Sequence, residues 1–243
     1  MNGMIFAAGL GTRLAPLTSS RPKALVEVLG QTLLERAILH MTDAKIRNIV
    51  VNVHHMADMI EDFILSHRSE WQCDIVISDE RDELLDTGGG IAKALNLFTD
   101  TNDIVVRNAD IITNASINSL VEYHKASNAD ATLLTDGRTS SRALLFDSDG
   151  RLSGWKNKKS GETKTPHIVK TAYEEAFDGI HVISQRCIRK MLPVRKMGII
   201  DAYLDMAADT TILRKPIADG EYWFDIGTTE KLATAESFLS NLK

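Results

Sequence analysis

Cysteine is scarce, and the patterns in which it usually does chemistry are absent. Cys73 and Cys187 lie far apart, and neither belongs to a Cys-x-x-Cys pair or has histidine-rich neighbours. That excludes a zinc site and a disulfide framework and predicts free thiols in a reducing compartment. No apolar run approaches the roughly 18 residues of a bilayer span. The first residues contain no basic segment leading into a hydrophobic stretch and a cleavage site, so a cytoplasmic protein without membrane contact is expected. Basic charge is not in surplus: the formal net charge of -5 arises from mixed acidic and basic residues. Sequence-independent nucleic-acid binding needs such a surplus to neutralise phosphates, so nucleic acid is not an expected partner. There is no internal repeat and no low-complexity segment.

The 243 residues, 44% of them apolar, are enough to bury one sizeable core, and a single domain is expected over 1–243. The first half alternates short apolar runs with amphipathic stretches, the pattern of βαβ units around a parallel sheet. Strands are predicted at 4–8, 49–53, 74–77 and 104–106, and helices at 33–41, 56–65 and 91–98. A doubly wound α/β fold follows. Ligands collect at the carboxyl ends of strands in such sheets, which makes the segments after Ala8 and after Val106 candidates for one shared site.

Beyond residue 130 the texture becomes β-rich, with strands predicted at 131–135, 143–146 and 152–155 and a turn at Asp147-Ser148-Asp149-Gly150. Residues 156–170 lack an apolar period and read as a mobile loop, either a solvated connection or a substrate lid. A strand at 177–183 and helices at 188–192, 199–207 and 232–242 complete the chain. This divides the domain into a nucleotide-binding core at 1–130, a sugar-binding part at 131–227 and a terminal helix at 228–243.

The strongest local signal follows the first strand: Ala7-Ala8-Gly9-Leu10-Gly11-Thr12-Arg13-Leu14, then Pro16-Leu17-Thr18 and Arg21-Pro22-Lys23. Glycines let backbone N–H groups approach a ligand and form a concave anion site, to which Arg13 and Lys23 bring two cations. A nicotinamide dinucleotide fingerprint requires a third glycine where Leu14 stands, and Pro16 and Pro22 interrupt any long helix. The Gly-Lys-Ser/Thr of a Walker loop is missing. A glycine turn bearing surface charges remains the alternative to a phosphate cradle.

With its prolines and Lys23, this loop resembles the signature of the sugar-phosphate nucleotidyltransferases, the sugar nucleotide pyrophosphorylases. The resemblance implies a Rossmann-like doubly wound mixed sheet with a small β-rich substrate lobe, and NTP and sugar 1-phosphate as substrates. It implies that Ala8, Gly9, Gly11 and Thr12 wrap the triphosphate, that Arg13 holds the departing pyrophosphate and that Lys23 contacts the reacting phosphates. Thr87-Gly88-Gly89-Gly90-Ile91 would border the nucleobase through Gly88 and Gly89, and it is similar to the segment of compact uridylyltransferases acting on N-acetylmuramic acid 1-phosphate. A bare helix amino terminus is the other reading of those glycines.

In Asn108-Ala109-Asp110 the resemblance assigns Asn108 to the nucleotide and Asp110 to magnesium, although an aspartate after a strand also suits a turn or cap. Trp223-Phe224-Asp225-Ile226-Gly227-Thr228 supplies the second carboxylate, Asp225. Two aspartates with phosphate oxygens and water make a reasonable Mg²⁺ set. Gly179, in Phe177-Asp178-Gly179-Ile180, is the sugar-side candidate, with a bulge glycine as the alternative. Trp155-Lys156-Asn157-Lys158 lies where larger relatives carry a Glu-Lys-Pro-like segment and does not reproduce it, and Lys158 is the candidate for the sugar phosphate. Ala15, Glu27 and Thr32 also depart from the family pattern, which bears on the substrate more than on the class. His181, His54 and His55 receive no catalytic role. The chain leaves little room for a further regulatory domain, and because the family commonly self-associates, a homo-oligomer is among the expectations.

Overall fold

The computed structural model describes residues 1–99, 103–166 and 170–242. Along the chain come β1 (Asn2–Phe6), the hairpin of β2 (Glu27–Val28) and β3 (Gln31–Thr32), α1 (Leu33–Asp43), β4 (Asn48–Val53), α2 (Ala57–His67), β5 (Asp74–Asp79) and α3 (Asp86–Ala94). Next are β6 (Ile104–Asn108), β7 (Ile111–Thr113), α4 (Ile117–Ser127), β8 (Ala131–Asp136), β9 (Arg142–Phe146), β10 (Leu152–Asn157) and β11 (Thr163–Lys164). The last are β12 (Tyr173–Ile183), α5 (Gln185–Arg189), α6 (Ile199–Met206), β13 (Ile212–Pro216), β14 (Trp223–Asp225) and α7 (Thr229–Ser240).

Strands β5, β4, β1 and β6 form a parallel core, and β12 joins it antiparallel to β6. The carboxyl-terminal half of β12 also pairs with β8, beside which β13 runs parallel. Its amino-terminal half pairs instead with β9, which β10 and β11 extend into a small β-rich lobe. The fold is thus the expected doubly wound mixed sheet with its lobe.

The winding follows from alternation. In β1, Met4 packs into one core and Ile5 into the other, as side chains at period 2 must. Helices α1, α2 and α4 cover the Ile5 face, and α3, α5 and α6 the Met4 face. Burial on both faces is why β1, β4 and β6 read as apolar runs, while β5 at the sheet edge stays partly exposed. Helix α1 begins where Thr32 Oγ1 accepts the Glu35 N–H at 3.1 Å, an N-cap, and it buries Leu34, Ile38 and Met41 completely. Each such burial contributes about 1.5–3 kcal/mol before entropy.

The structure departs from the sequence reading at three points. The glycine triad does not precede a helix at 91–98; it lies within α3, which begins at Asp86 and gives way to a 3₁₀ turn at Leu95–Leu97. Residues 156–170 are not one loop: Trp155 and Lys156 pair with Lys164 and Thr163 in a hairpin too short and too exposed to leave an apolar period, while 167–169 lie outside the described residues. Helix α4 was unforeseen because only Ile117, Leu120 and His124 of it are buried.

Candidate active site

The signature loop leaves the carboxyl end of β1, between β4 and β6. Gly11 has φ of +65°, and a Cβ there would stand 2.9 Å from Lys23 Cβ and 3.0 Å from Thr18 Cγ2. Thr18 Oγ1 donates to the Gly11 carbonyl at 2.8 Å, closing the loop on itself. Glycine is required by both conformation and space. Leu14, where a dinucleotide fingerprint would have glycine, is fully buried in a third cluster with Val26, Val28, Ile112 and Ile226. That anchor leaves its neighbour Arg13 exposed, with no hydrogen bond or ion pair among the described residues.

Lys23 and Asp110 form an ion pair whose side chains are only 12% and 26% exposed, so it is less screened than a surface pair. Asp110 is held from both sides: Ala109 N–H donates to the Phe6 carbonyl at 3.0 Å, and Ile226 N–H donates to the Asp110 carbonyl at 2.9 Å. The latter bond extends the β7–β14 ladder, in which Asp225 is opposite Ile111. Asp110, in the turn before β7, and Asp225, at the end of β14, are therefore brought together by one ladder although 115 positions apart. Asp225 accepts from Lys231 Nζ of α7 at 2.7 Å. A Cβ on Gly227 would lie 3.0 Å from Asp225 Oδ1 and 3.3 Å from an Arg13 guanidinium nitrogen, so glycine there lets the two side chains converge.

Two carboxylates are hard-oxygen donors suited to a cation that takes few protein ligands. Among the described residues no group of three or more His, Cys, Asp or Glu forms a fuller cage.

These segments line a cavity of about 580 Å³ that includes Ala8, Gly9, Gly11, Thr12, Arg13, Lys23, Asn108 and Asp110. Asn52, Leu84, Asp86 and Lys196 also line it without having been expected, and so do Thr87 and Gly227, which belong to the two glycine-containing motifs of the sequence. A separate cavity of about 470 Å³, bounded by Arg36, His40, Arg107 and Tyr222, holds none of the expected site residues.

Five expected residues stand elsewhere. Gly88 and Gly89 both donate their N–H groups to the Met197 carbonyl, at 2.9 and 3.1 Å, which leaves neither amide for a ligand. A Cβ on Gly89 would fall 2.3 Å from the Arg195 carbonyl oxygen. Their physical reason is the close seating of residues 195–198 on α3, which carries Lys196 to the cavity; Thr87 Oγ1 completes the seam by accepting the Ile199 N–H at 2.9 Å. Gly179 is a bulge residue, with φ of +73° where the β12–β8 register shifts. Its absent Cβ would lie 2.8 Å from Asn108 Nδ2, so it makes room for a cavity residue and does not line the cavity itself. Lys158 is in the lobe, 2.7 Å from Glu174, whose carboxyl this hydrogen bond holds below its ordinary range. Asp225 does not itself line the cavity but lies against Gly227, which does.

A family model described as nucleotidyl transferase matches residues 2–146. The chain is 31% identical over 245 aligned positions to N-acetylmuramate alpha-1-phosphate uridylyltransferase of Caulobacter vibrioides, covering 98% of this chain and 96% of that protein. It is 32% identical over 135 positions to a mannose-1-phosphate guanyltransferase of Hypocrea jecorina, covering 55% of this chain and 37% of that protein. A crystal structure described as a glucose-1-phosphate thymidylyltransferase from Bacillus anthracis superposes with a TM-score of 0.80 at 18% identity, covering 98% and 94% of the two chains, a likeness of fold. With the motif-bearing loop, the family match over more than half the chain and a relative aligned nearly end to end, the protein belongs to the nucleotidyl transferase family, as a sugar-phosphate nucleotidyltransferase.

Proposed function

We propose that the protein transfers a nucleoside monophosphate from an NTP to a sugar 1-phosphate, giving an NDP-sugar and pyrophosphate, with UTP and N-acetylmuramic acid 1-phosphate as the pair. The observation that carries this reading is the convergence of the signature loop, Lys23 and Asp110 on one cavity at the carboxyl ends of β1 and β6. The near full-length similarity to a uridylyltransferase supports the choice of pair. An oxygen of the sugar 1-phosphate attacks the α-phosphorus, the bond from that phosphorus to the bridging oxygen breaks, and pyrophosphate leaves with the bonding electrons. The attacking oxygen is already anionic, so no side-chain nucleophile is needed.

Catalysis of this kind is positioning and electrostatics. Arg13, exposed and unpaired among the described residues, offers its guanidinium to the leaving pyrophosphate. Lys23 exchanges Asp110 for the reacting phosphates, which frees the Asp110 carboxylate. Asp110 and Asp225 are the residues to hold Mg²⁺, which when bound neutralises phosphate charge. Lys196 brings a further cation to the rim. The NTP requirement suits a cytoplasmic enzyme.

The test is pyrophosphate release, with magnesium present, from four NTPs against muramic, glucosamine, glucose, mannose and heptose 1-phosphates. Turnover with UTP and the muramic acid derivative is expected. Turnover with GTP and a mannose or heptose phosphate would favour the second reading, a guanylyltransferase, which the mannose-1-phosphate guanyltransferase similarity supports. Nucleotide binding without turnover would leave a silent nucleotide-sugar-binding module.

A further inference from the structure

Glu80 is fully buried, and the transfer itself gives its carboxylate no task. Its Oε1 accepts from Asn52 Nδ2 at 2.8 Å, and its Oε2 accepts from the Leu85 backbone N–H at 3.0 Å. Asn52 continues the chain, for its Oδ1 accepts from the Ala7 backbone N–H at 2.9 Å. The two ends belong to different walls of one cavity. Ala7 opens the signature loop, and Leu85 lies between the lining residues Leu84 and Asp86 at the start of α3. The backbone of Glu80 is fixed as well: its N–H donates to the Val53 carbonyl at 2.8 Å, and its carbonyl accepts from His54 Nδ1 at 2.7 Å. Gly90 leaves the space, since a Cβ there would stand 2.8 Å from Glu80 Oε1 and 3.4 Å from Asn52 Nδ2.

Two N–H donors reaching separate oxygens of one side chain fit a group with an acceptor oxygen for each, which a glutamate offers. Burying so polar a group is costly, and apolar packing would serve a purely structural purpose as well. We propose that Glu80 and Asn52 are positioning residues that set the separation between the signature loop and residues 84–87, so that the cavity holds both the phosphate end and the base end of the nucleotide. This rests on the reading of the cavity as an NTP site.

The experiment is calorimetric titration of UTP, and in parallel GTP, into wild type, Glu80→Gln, Asn52→Asp and the double exchange, with a melting temperature for each. Either single change breaks one bond. The double exchange rebuilds all three: the new carboxylate at 52 accepts from Ala7 and from the new amide at 80, whose oxygen accepts from Leu85. The expected result is an NTP Kd raised about tenfold or more in each single variant and returned to within about threefold of wild type in the exchange. Gly90→Ala, which crowds the carboxylate without altering any polar group, should raise the Kd in the same direction even if Glu80→Gln fails to fold. Folded single variants that bind within about twofold of wild type, or an exchange no better than its parts, would overturn the relay alone. A wild type that binds neither nucleotide would overturn the proposed function as well.

Discussion

At the scale of single residues, Lys23 serves two partners with one ammonium group. In the free protein it neutralises Asp110, and in the proposed reaction it turns to the phosphates. Replacing Lys23 with Met should lower kcat/KM by about 10²–10³-fold, the range for removing one preorganised charge donor, with the fold unchanged by circular dichroism. Gly227→Ala places a methyl 3.0 Å from Asp225 and 3.3 Å from Arg13. A displacement of both should cost about 10- to 100-fold in kcat/KM, measured as pyrophosphate release. Arg13 and Lys23 could be picked out as cavity residues because glycines, prolines and charges combine in one short loop, whereas Asp110 was reached only through the resemblance, since an aspartate after a strand also suits a turn. Asn52 and Lys196 were not. Asn52 reads as an ordinary polar strand position, and its bond to Ala7 crosses 45 positions. Lys196 stands in an unpatterned segment that reaches the cavity only because glycines on another element admit it.

At the scale of elements, the glycine triad is a packing device inside α3. Gly89→Ala drives a Cβ to 2.3 Å from a backbone oxygen, where no side chain can yield. It should destabilise the protein by about 1–3 kcal/mol in urea unfolding. Gly9→Ala meets nothing within 4 Å, and its unfolding free energy should stay within about 0.5 kcal/mol of wild type. Equal losses in the two variants would refute this packing account. The parallel strands and α1 were readable because burial on two faces or one stripe leaves a periodic trace. The β10–β11 hairpin left none, since the exposed pair Thr163–Lys164 is held by its ladder and not by burial. The three glycines signalled a close approach correctly, but sequence alone does not tell whether the approaching group is a ligand or the chain's own backbone.

At the scale of the whole molecule, two histidines tie stability to pH. His40 sits under Arg107, donating from Nε2 to the Ala115 carbonyl and accepting at Nδ1 from the guanidinium; burial first and Arg107 second push it down to about 3. His181 is buried without a hydrogen-bond partner for either ring nitrogen among the described residues, and burial pushes it down to about 3. Both bind protons more readily in the unfolded chain, so the stability that rests on their neutral rings is full above about pH 6.5 and is lost as the pH drops towards 3, while Asp178, which burial pushes up to about 7, acts in the opposite sense. At pH 5 each should remove about 2 kcal/mol, and His181→Leu should flatten the loss seen by urea unfolding between pH 7 and pH 5.

The same fold brings residues from positions 6 to 227 around one cavity, and whether that cavity performs nucleotidyl transfer is the central claim. Its most direct test is pyrophosphate release from UTP with N-acetylmuramic acid 1-phosphate and magnesium, run side by side on wild type and Asp110→Ala. The account predicts one pyrophosphate per UDP-sugar formed by the wild type, and at least about a 10²-fold loss in the variant at an unchanged melting temperature. Comparable turnover by both proteins would contradict it.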